Sequence, residues 1–363
     1  MRVLFSLLDA GVGGGQRVAT EVARRLVEED HEIGVLLPDD GPAADEFQAL
    51  GGSVYRADLQ TLRSRRGIAP AVKIARGFDL LYSHTSVPGE ILGARVSRWA
   101  GIRHVVHRHT DPYFSPLMLR RLAQRWLYRR VLHATPFIAV APHVAASLER
   151  LGIERGRITM IPNGVDVHSI RERGRTAQSR GADLVIGVLG RLDPARGQDI
   201  FVEAVRRASA PHARFIVGGP PGPFHEHEAA LRRAAAECGV KIEDPGPTGV
   251  EFLASLDIVV IPSRYEGSPL TLFEAMALGK PIIASRIPGI AEVLEPSTAG
   301  VLVPPDDAQA LARAITTLLA DPTRRAALGR TAVEVVRRDH TLAQALDRIV
   351  AVLHSSGPSS EVT

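Results

Sequence analysis

Short apolar runs alternate with helix-like segments along almost the whole chain, and this alternation limits the possible folds more than any other feature. Apolar runs that predict strands lie at residues 2–8, 32–37, 80–83, 104–107, 137–140, 158–161, 214–217, 240–243, 257–261, 281–284 and 300–303, with a further run opening at Asp183. Strands that are separated by helices pair in parallel. The sequence therefore predicts an α/β fold with doubly wound parallel sheets.

One polar stretch interrupts the alternation and divides the chain. Residues 171–181 are rich in arginine and lack an apolar period, which is typical of a linker. We predict a Rossmann-like domain over 1–165, a linker over 166–182, a second Rossmann-like domain over 183–339 and a disordered tail over 355–363. Ligands of open parallel sheets bind beyond the carboxyl ends of the strands. We therefore expect the site in a cleft between two facing sheets, lined by residues that directly follow strands.

The segment 263–281 carries the strongest chemical pattern. Ser268 is a suitable N-cap, Pro269 suits the first helical position and Gly279 suits a C-terminal stop, so a helix is expected from Leu270 to Leu278. The carboxylates of Glu266 and Glu274 are then roughly 8–10 Å apart along the axis, at about 1.5 Å per residue. They flank a helix start whose free N–H groups suit a phosphate. A solvated Glu266 and a structural Glu274 remain the alternative.

This segment resembles the Glu-x7-Glu signature of retaining GT-B glycosyltransferases of family 4, including the continuation Glu-Ala-Met-Ala-x-Gly-x-Pro. The resemblance implies a nucleoside-diphosphate sugar as co-substrate, most often a uridine nucleotide, and no other cofactor. It assigns the ribose diol to Glu274, the sugar hydroxyls to Glu266, and the donor more generally to Gly267, Ser268 and Leu270. It also implies that the last helix, 340–354, packs back on the first domain.

A second resemblance concerns Arg191 and Arg196, which follow a predicted strand. Guanidinium groups bind diphosphates and offset the charge that develops on a leaving oxygen. Their segment is similar to the family motif Gly-Arg-Leu-x-x-x-Lys-Gly, which begins here at Gly190 and has Arg196 in place of lysine. The chain has only three lysines among its 44 basic residues, so this replacement is unsurprising. Exposed salt bridges are the alternative role.

The first domain offers less specific candidates. His109 matches the histidine of the family's His-Asp element, which implies a catalytic position beside the sugar, although Thr110 stands where the family has aspartate. His107 is an alternative to His109, a purely structural histidine is another, and His84 is a weaker candidate. Glycines 11, 13, 14 and 15 do not form a dinucleotide fingerprint, because Gln16 occupies the third glycine position. They resemble the family's first loop, with Gly14 toward the donor, or else form a tight turn.

Three smaller elements also resemble family features, each with a structural role as the alternative. They are residues 218–220, with Gly219 expected near the nucleotide, residues 163–164, and the loop 287–292.

Metals, membranes and nucleic acid are disfavoured by composition and spacing. The single cysteine excludes a disulfide framework and a multi-cysteine metal site. The chain has no Asp-x-Asp after a strand and no histidine pair at metal spacing, so we predict transfer without a divalent ion. Aromatic residues make up only 5% and show no stacking motif for nucleic acid. No apolar run reaches the ~18–20 residues of a membrane span, which favours a cytoplasmic protein.

A basic helix is predicted over 117–132, with Leu119, Leu122 and Trp126 on one face and Arg121, Arg125 and Arg129 on another. Two interpretations stay open for it. The helix either packs its apolar face on the core, or it draws the protein weakly to an anionic lipid surface or acceptor.

The sequence thus predicts a glycosyltransferase, with a GT-B epimerase, a phosphorylase or a non-catalytic nucleotide-binding module as alternatives. The acceptor hydroxyl, the base and sugar of the donor, and the oligomeric state are left open.

Overall fold

The chain forms two compact units, one of residues 1–162 with 345–363 and one of residues 163–344. The computed structural model describes residues 1–11, 13–57, 65–85, 87–111, 118–175, 183–208, 210, 212–246 and 248–355. The predicted tail 355–363 and the second half of the predicted linker fall almost wholly outside these ranges.

The first unit is built on a parallel sheet whose described strands run in the order β3-β2-β1-β4-β5-β6-β7. The strands are β1 (Arg2–Leu7), β2 (Glu32–Leu37), β3 (Ser53–Arg56), β4 (Leu80–His84), β5 (Arg103–Arg108), β6 (Phe137–Ala139) and β7 (Ile158–Met160). Between them lie the helices α1 (Gly14–Glu28), α2 (Pro42–Ala49), α3 (Arg65–Ala75), α4 (Val87–Ala100), α5 (Met118–Val131) and α6 (Pro142–Leu151).

The second unit is built on a parallel sheet with the strand order β10-β9-β8-β11-β12-β13. Its strands are β8 (Leu184–Leu189), β9 (Ala213–Gly218), β10 (Lys241–Glu243), β11 (Ile258–Ile261), β12 (Ile282–Ser285) and β13 (Val301–Val303). Its helices are α7 (Val167–Gly174), α8 (Gln198–Arg207), α9 (His225–Glu237), α10 (Val250–Ala254), α11 (Leu270–Ala277), α12 (Pro288–Ser297), α13 (Ala308–Ala320) and α14 (Pro322–Asp339).

The cores explain why the strands are continuous apolar runs. Along β11, Ile258 and Val260 pack in one hydrophobic cluster, whereas Val259 and Ile261 pack in another. The sheet of the second unit is therefore covered by helices on both faces, as in other doubly wound folds. The predicted α/β class with two parallel sheets is confirmed.

The last helix, α15 (Leu342–Ser355), contributes residues 345–355 to the first unit. Arg103 of β5 donates a hydrogen bond to the carbonyl oxygen of Leu353 at 2.9 Å, and Arg25 of α1 donates to Asp347 at 3.0 Å. The buried face of α15 includes Leu346, Ile349 and Leu353. Residues 345–355 are thus an integral part of the first unit's core.

Several local predictions were wrong. The predicted linker 166–182 begins with helix α7, whose N-cap Asp166 accepts a hydrogen bond from the backbone of Ser169. Strand β3 was missed because its side chains are only partly buried. In α5, Trp126 is 65% exposed and does not belong to a buried face. The side chains of Leu119, Leu122 and Arg121 lie outside the described set. Within the described chain, every helix is too short or too polar to cross a lipid bilayer.

Candidate functional site

The strand order of the second unit reverses between β8 and β11, which are hydrogen-bonded neighbours. The loops that follow these two strands therefore leave the same edge of the sheet in opposite directions, which is where open α/β sheets bind ligands. The predicted residues Gly190, Arg191 and Arg196 lie on the first loop, and Glu266, Gly267 and Ser268 lie on the second.

The loop after β8 is held by its own backbone and by one buried amide. The N–H of Gly190 donates to the carbonyl oxygen of Gly218 at 2.9 Å. Gln198, fully buried at the start of α8, donates to the carbonyl oxygens of Gly190 and Arg191 at 3.1 and 2.9 Å. Asp193 accepts from the N–H of Ala195 at 2.9 Å and caps a 3-10 turn that ends at Arg196. This loop is therefore a firm support for its arginines.

Arg196 and Glu266 form the central contact of the site. The guanidinium of Arg196 donates to Glu266 Oε1, and the same oxygen accepts from Ser263 Oγ at 2.9 Å. Glu266 is only 9% exposed, so its carboxylate lies in a protein environment and not in bulk water. The nearby carboxylate raises the pKa of Arg196, which keeps this side chain cationic. The two predicted donor-binding loops thus meet through opposite charges.

Glycine is required where the two loops cross. Gly197 has φ +66, and a Cβ at this position would lie 2.0 Å from the carbonyl oxygen of Pro262. Gly289, at the start of α12, also lies against the backbone of the second loop. A Cβ at Gly289 would be 2.3 Å from Gly267 O and 2.5 Å from Glu266 O. These close backbone approaches fix where the Glu266 carboxylate points.

Arg264 braces the second loop and was missed by the sequence analysis. Its guanidinium binds Asp199 at 2.9 and 2.7 Å and Asp306 at 2.7 Å, and these hydrogen bonds raise its pKa. Its backbone N–H donates to the carbonyl oxygen of Ala195 at 2.9 Å. In a chain with 41 arginines, no sequence signal distinguishes this one, because its partners lie 65 and 42 residues away.

The N-cap of α11 differs from the prediction. The N-cap is Pro269, in an extended conformation and without a side-chain cap, so the assignment of Ser268 as N-cap was wrong. The hydroxyl of Ser268 instead accepts from the N–H of Asn163 at 3.3 Å, and the Asn163 amide donates to Ser268 O at 2.8 Å. Leu270 is the first helical residue, and Glu274 lies inside the helix at 1% exposure. The helix therefore begins at Leu270 as predicted, its N-cap lies one residue later than expected, and Glu266 and Glu274 are both buried.

Arg191 and Gly219 occupy the rim of the loop after β8. The Arg191 side chain is half exposed, and its guanidinium lies 3.7 Å from Asp193. A Cβ on Gly219 would lie 2.0 Å from Gly190 O. Beside Gly219 is a cavity of about 220 Å³, lined also by Pro220, Arg232 and Glu243. Arg196, and not Arg191, is thus the arginine of the predicted pair that contacts a predicted glutamate.

In the first unit, three histidines meet at the carboxyl ends of β4 and β5. His84 Nδ1 lies 2.9 Å from His109 Nε2, and His107 Nδ1 lies 2.7 Å from the hydroxyl of Tyr82. His107 is fully buried, whereas His109 is partly exposed. Burial lowers the pKa of His84 and His107 well below the usual range and that of His109 to about 4, so these rings are neutral at pH 7.

A buried polar network supports the loop that carries His109. Arg108 is 2% exposed and donates to the carboxylate of Glu90, which also accepts from the hydroxyl of Tyr128. The Nε of Arg108 donates to the carbonyl oxygen of Thr110 at 3.0 Å, so both residues that flank His109 are fixed. The first-loop glycines lie close by, since a Cβ on Gly15 would be 3.3 Å from the His109 ring. Gly14 is the first residue of α1.

Two family models match the two halves of the chain. Residues 12–169 match the model described as Glycosyltransferase Family 4, and residues 183–321 match that described as Glycosyl transferases group 1. The chain belongs to this glycosyltransferase family. The family and the enzyme class that the sequence predicted are confirmed.

Curated relatives are similar over much of the glycosyltransferase chain. The D-inositol 3-phosphate glycosyltransferase of Acidothermus cellulolyticus is 29% identical over 75% of this chain and 66% of its own, and so just under two thirds of that protein is spanned. The protein of the same name from Salinispora tropica is 27% identical over 93% of this chain and 81% of its own.

Solved structures share the fold of this glycosyltransferase. Anabaena Alr3699/HepE in complex with UDP and glucose has a TM-score of 0.84 at 23% identity and covers 98% of this chain and 100% of its own. The sucrose-phosphate synthase of Thermosynechococcus elongatus has a TM-score of 0.79 at 18% identity, with 98% of each chain covered. The GT-B architecture is thereby confirmed.

Proposed function

We propose that this glycosyltransferase moves a sugar from a UDP-sugar to a hydroxyl acceptor with retention of the anomeric configuration. The observation that carries the proposal is the contact between Arg196 and Glu266 at the strand-order reversal of the second unit. It brings a permanent cation and a hydroxyl-accepting carboxylate to one place, as a diphosphate-linked sugar requires. The UDP and glucose bound by the structurally similar Anabaena protein favour the same chemistry.

The donor-binding roles follow from the chemistry of each group. Arg196 would bind the diphosphate, and the half-exposed Arg191 would close on it from the rim. Glu266, already positioned by Ser263, would accept hydrogen bonds from the sugar hydroxyls. Glu274 would accept from the ribose diol. The remaining predicted donor contacts are Gly14, Gly190, Gly219, Gly267, Ser268 and Leu270.

Retention would proceed through a short-lived oxocarbenium-like pair. Glu266 is engaged by both Arg196 and Ser263, which reduces its strength as a nucleophile. The cationic Arg196 would stabilise the leaving diphosphate, which is the electrostatic role that gives enzymes much of their rate. The assignment of His109 to the transferred sugar stays a prediction. Analysis of the product anomer by NMR tests retention directly, and an inverted product contradicts it.

Donor binding is tested on Glu274 with a matched control. Glu274→Gln keeps the shape of the side chain but removes its charge, and Glu274→Ala removes the acceptor altogether. We expect the dissociation constant for UDP-glucose, measured by calorimetry, to rise for both variants and more for alanine. Glu295→Gln, at an exposed glutamate on α12, should bind like the wild type. Unchanged affinity in both Glu274 variants would remove Glu274 from the donor site.

Transfer is separated from the other GT-B reactions by its need for an acceptor. We expect release of UDP only when an acceptor alcohol is present, whereas an epimerase would convert the UDP-sugar into its epimer without net release of UDP. D-inositol 3-phosphate is the first acceptor to test, since it appears in the names of the curated relatives. Simple polyols, lipid-linked sugars and aglycones complete the panel.

We also propose that transfer needs no divalent ion, because Arg196 and the start of α11 supply the positive charge. Turnover should persist after treatment with EDTA. A full loss that magnesium restores would contradict this proposal.

Weak peripheral attachment to membranes is a further part of the proposal. In α5, the exposed Trp126 lies beside the exposed Arg125, Arg129 and Arg130. A cationic surface with an exposed tryptophan favours an anionic lipid interface. Sedimentation with phosphatidylserine vesicles should exceed that with phosphatidylcholine vesicles, and Trp126→Ala should reduce it. Equal sedimentation with both vesicles would exclude this role.

A further inference from the structure

The hydroxyl of Ser268 is mostly shielded from water and uses only one of its two hydrogen-bonding capacities. Ser268 is 9% exposed, and its Oγ accepts a hydrogen bond from the N–H of Asn163 at 3.3 Å. Within the part of the chain that the structure describes, no group accepts the proton of this hydroxyl. A hydroxyl can both donate and accept, and buried polar groups normally have partners because an unmatched one costs free energy. The proton of Ser268 is therefore left for a ligand.

The residue after Ser268 makes this donor valuable. Pro269 is the N-cap of α11, and proline has no backbone N–H. The loop after β11 thus has one backbone donor fewer at the place where we assign the diphosphate. A hydroxyl that donates to an ionised oxygen forms a strong, charge-assisted hydrogen bond.

We propose that the Ser268 hydroxyl donates to the diphosphate of the UDP-sugar and that Asn163 is the positioning residue that holds it in place. This inference rests on the donor site proposed above and gives two of its residues distinct roles.

Asn163 holds Ser268 in a way that spares the hydroxyl proton. Its side-chain amide donates to the carbonyl oxygen of Ser268 at 2.8 Å, and its backbone N–H donates to Oγ. Asn163 is 7% exposed, so water competes little for these bonds. Both groups are donors, and neither can take up the Ser268 proton. The pair of bonds therefore fixes the backbone and the oxygen of Ser268 and leaves its O–H to turn toward a phosphate.

The backbone around Asn163 is itself clamped. A Cβ on Gly164 would lie 2.2 Å from the carbonyl oxygen of Thr341. The N–H of Leu342 donates to the carbonyl oxygen of Val165 at 2.9 Å, and Val165 and Thr341 form a parallel bridge. Asn163 is thus held by contacts on the segment that directly follows it.

A single ring ties Asn163 to helix α11. The ring of His340 stacks on that of Phe273 in α11, with centroids 4.2 Å apart and planes at 21°. It also forms a hydrogen bond with the backbone of Asn163. The helix and the residue that anchors Ser268 therefore share one support, which limits how far the loop between them can shift.

The experiment compares UDP with uridine, which has the same base and ribose but no phosphate. We expect Ser268→Ala to raise the dissociation constant for UDP about 10–100-fold, the usual effect of losing a hydrogen bond to a charged group, and to leave that for uridine unchanged. Asn163→Ala should show the same selectivity for UDP. Calorimetry on the full chain measures both ligands. Ser297→Ala is the matched control, since the hydroxyl of Ser297 donates within α12 to the carbonyl oxygen of Val293 at 2.7 Å.

A double-mutant cycle tests whether Asn163 acts through Ser268. If it does, Asn163→Ala should cost almost no further UDP affinity in the Ser268→Ala background, whereas independent sites give additive losses. Circular dichroism checks the fold of each variant. Ser268→Ala removes one oxygen atom only, so it tests the hydroxyl even if the Asn163 variants do not fold.

The outcomes separate this inference from the function on which it rests. Wild-type UDP affinity in Ser268→Ala, equal losses for UDP and uridine, or additive losses in the double variant would overturn the inference while the donor site stands. A wild-type chain that binds neither UDP nor uridine would overturn both.

Discussion

At the scale of single residues, the proposed role of Arg196 can be tested most directly. It stands where the family motif has lysine, and it binds a glutamate that is mostly shielded from water. A guanidinium has five donors in a planar fork, so it can bind a carboxylate and a phosphate at once, whereas an ammonium is a point charge. An arginine here can therefore hold Glu266 and, in the donor site that we propose, also bind a phosphate.

Replacement of Arg196 should weaken UDP binding in a graded way. Arg196→Ala should raise the dissociation constant about 10–100-fold, since hydrogen bonds to charged groups contribute about 1.5–3 kcal/mol. Arg196→Lys should have a smaller effect, because the charge remains but the fork is lost. Calorimetry with UDP measures both variants. Arg207→Ala, at an exposed arginine on α8, is the control. Affinities that are equal for all four proteins would contradict the role of Arg196.

His104 should make the stability of the first unit depend on pH. It is buried beside Ser83 Oγ at 2.9 Å, and burial lowers its pKa from 6.5 to about 3. In the unfolded chain the ring takes up a proton as the pH falls below 6.5, but in the folded chain it does not. The folded state therefore loses stability from pH 6.5 downward, by about 2 kcal/mol at pH 5 from this residue alone.

The variant His104→Gln isolates this contribution. It retains a donor for Ser83 but cannot titrate, so its free energy of unfolding should fall less between pH 7 and pH 5 than that of the wild type. Urea denaturation at the two pH values measures the difference. The same pH dependence in both proteins would mean that His104 is protonated in the folded state.

At the scale of secondary structure, buried elements were predictable and exposed or capping features were not. Strands such as β1 and β11 are covered by helices on both faces, so they appear in the sequence as continuous apolar runs. Strand β3 is at the sheet edge, with two partly buried residues between two exposed ones, which leaves no such run. Ser268 satisfies every local rule for an N-cap, but its hydroxyl is used by Asn163, which is 105 residues away.

The loop between β11 and α11 should be sensitive to the start of α12. Gly289→Ala would place a methyl group 2.3 Å from Gly267 O and 2.5 Å from Glu266 O, and backbone atoms cannot rotate away. We expect the loop to shift and the dissociation constant for UDP-glucose to rise about 10-fold or more, with a stability cost of about 1–3 kcal/mol. Calorimetry and urea denaturation measure the two effects.

The matched control for this prediction is Gly156→Ala. A Cβ there meets nothing within 4 Å, and the variant should therefore bind and unfold like the wild type. If Gly289→Ala also binds UDP-glucose with wild-type affinity, the loop geometry does not determine donor binding.

At the scale of the whole molecule, long-range polar contacts were the part that the sequence did not reveal. The alternation of strands and helices predicted both sheets. The family motifs predicted that Arg196 and Glu266 belong to one donor-binding site. By contrast, Glu90, Arg108 and Tyr128 belong to three different elements and join in one buried network. No local pattern marks such a network, because each residue looks like an ordinary polar position in its own helix or strand. The meeting of three histidines was missed for the same reason.

The return of α15 to the first unit gives a prediction about how the molecule unfolds. Leu353 is fully buried. It follows the second unit in the sequence but packs in the first unit. Leu353→Ala should reduce the stability of that unit by about 2–5 kcal/mol, the usual cost of a cavity in a core. UDP binding, which we assign to the second unit, should be unchanged at temperatures where the variant is folded. Ala351→Ser, two residues earlier on the exposed face, should alter neither property. Urea denaturation followed by calorimetry with UDP measures the pair of effects. A variant that loses UDP affinity while it keeps wild-type stability would show that α15 serves the donor site and not the first unit's core.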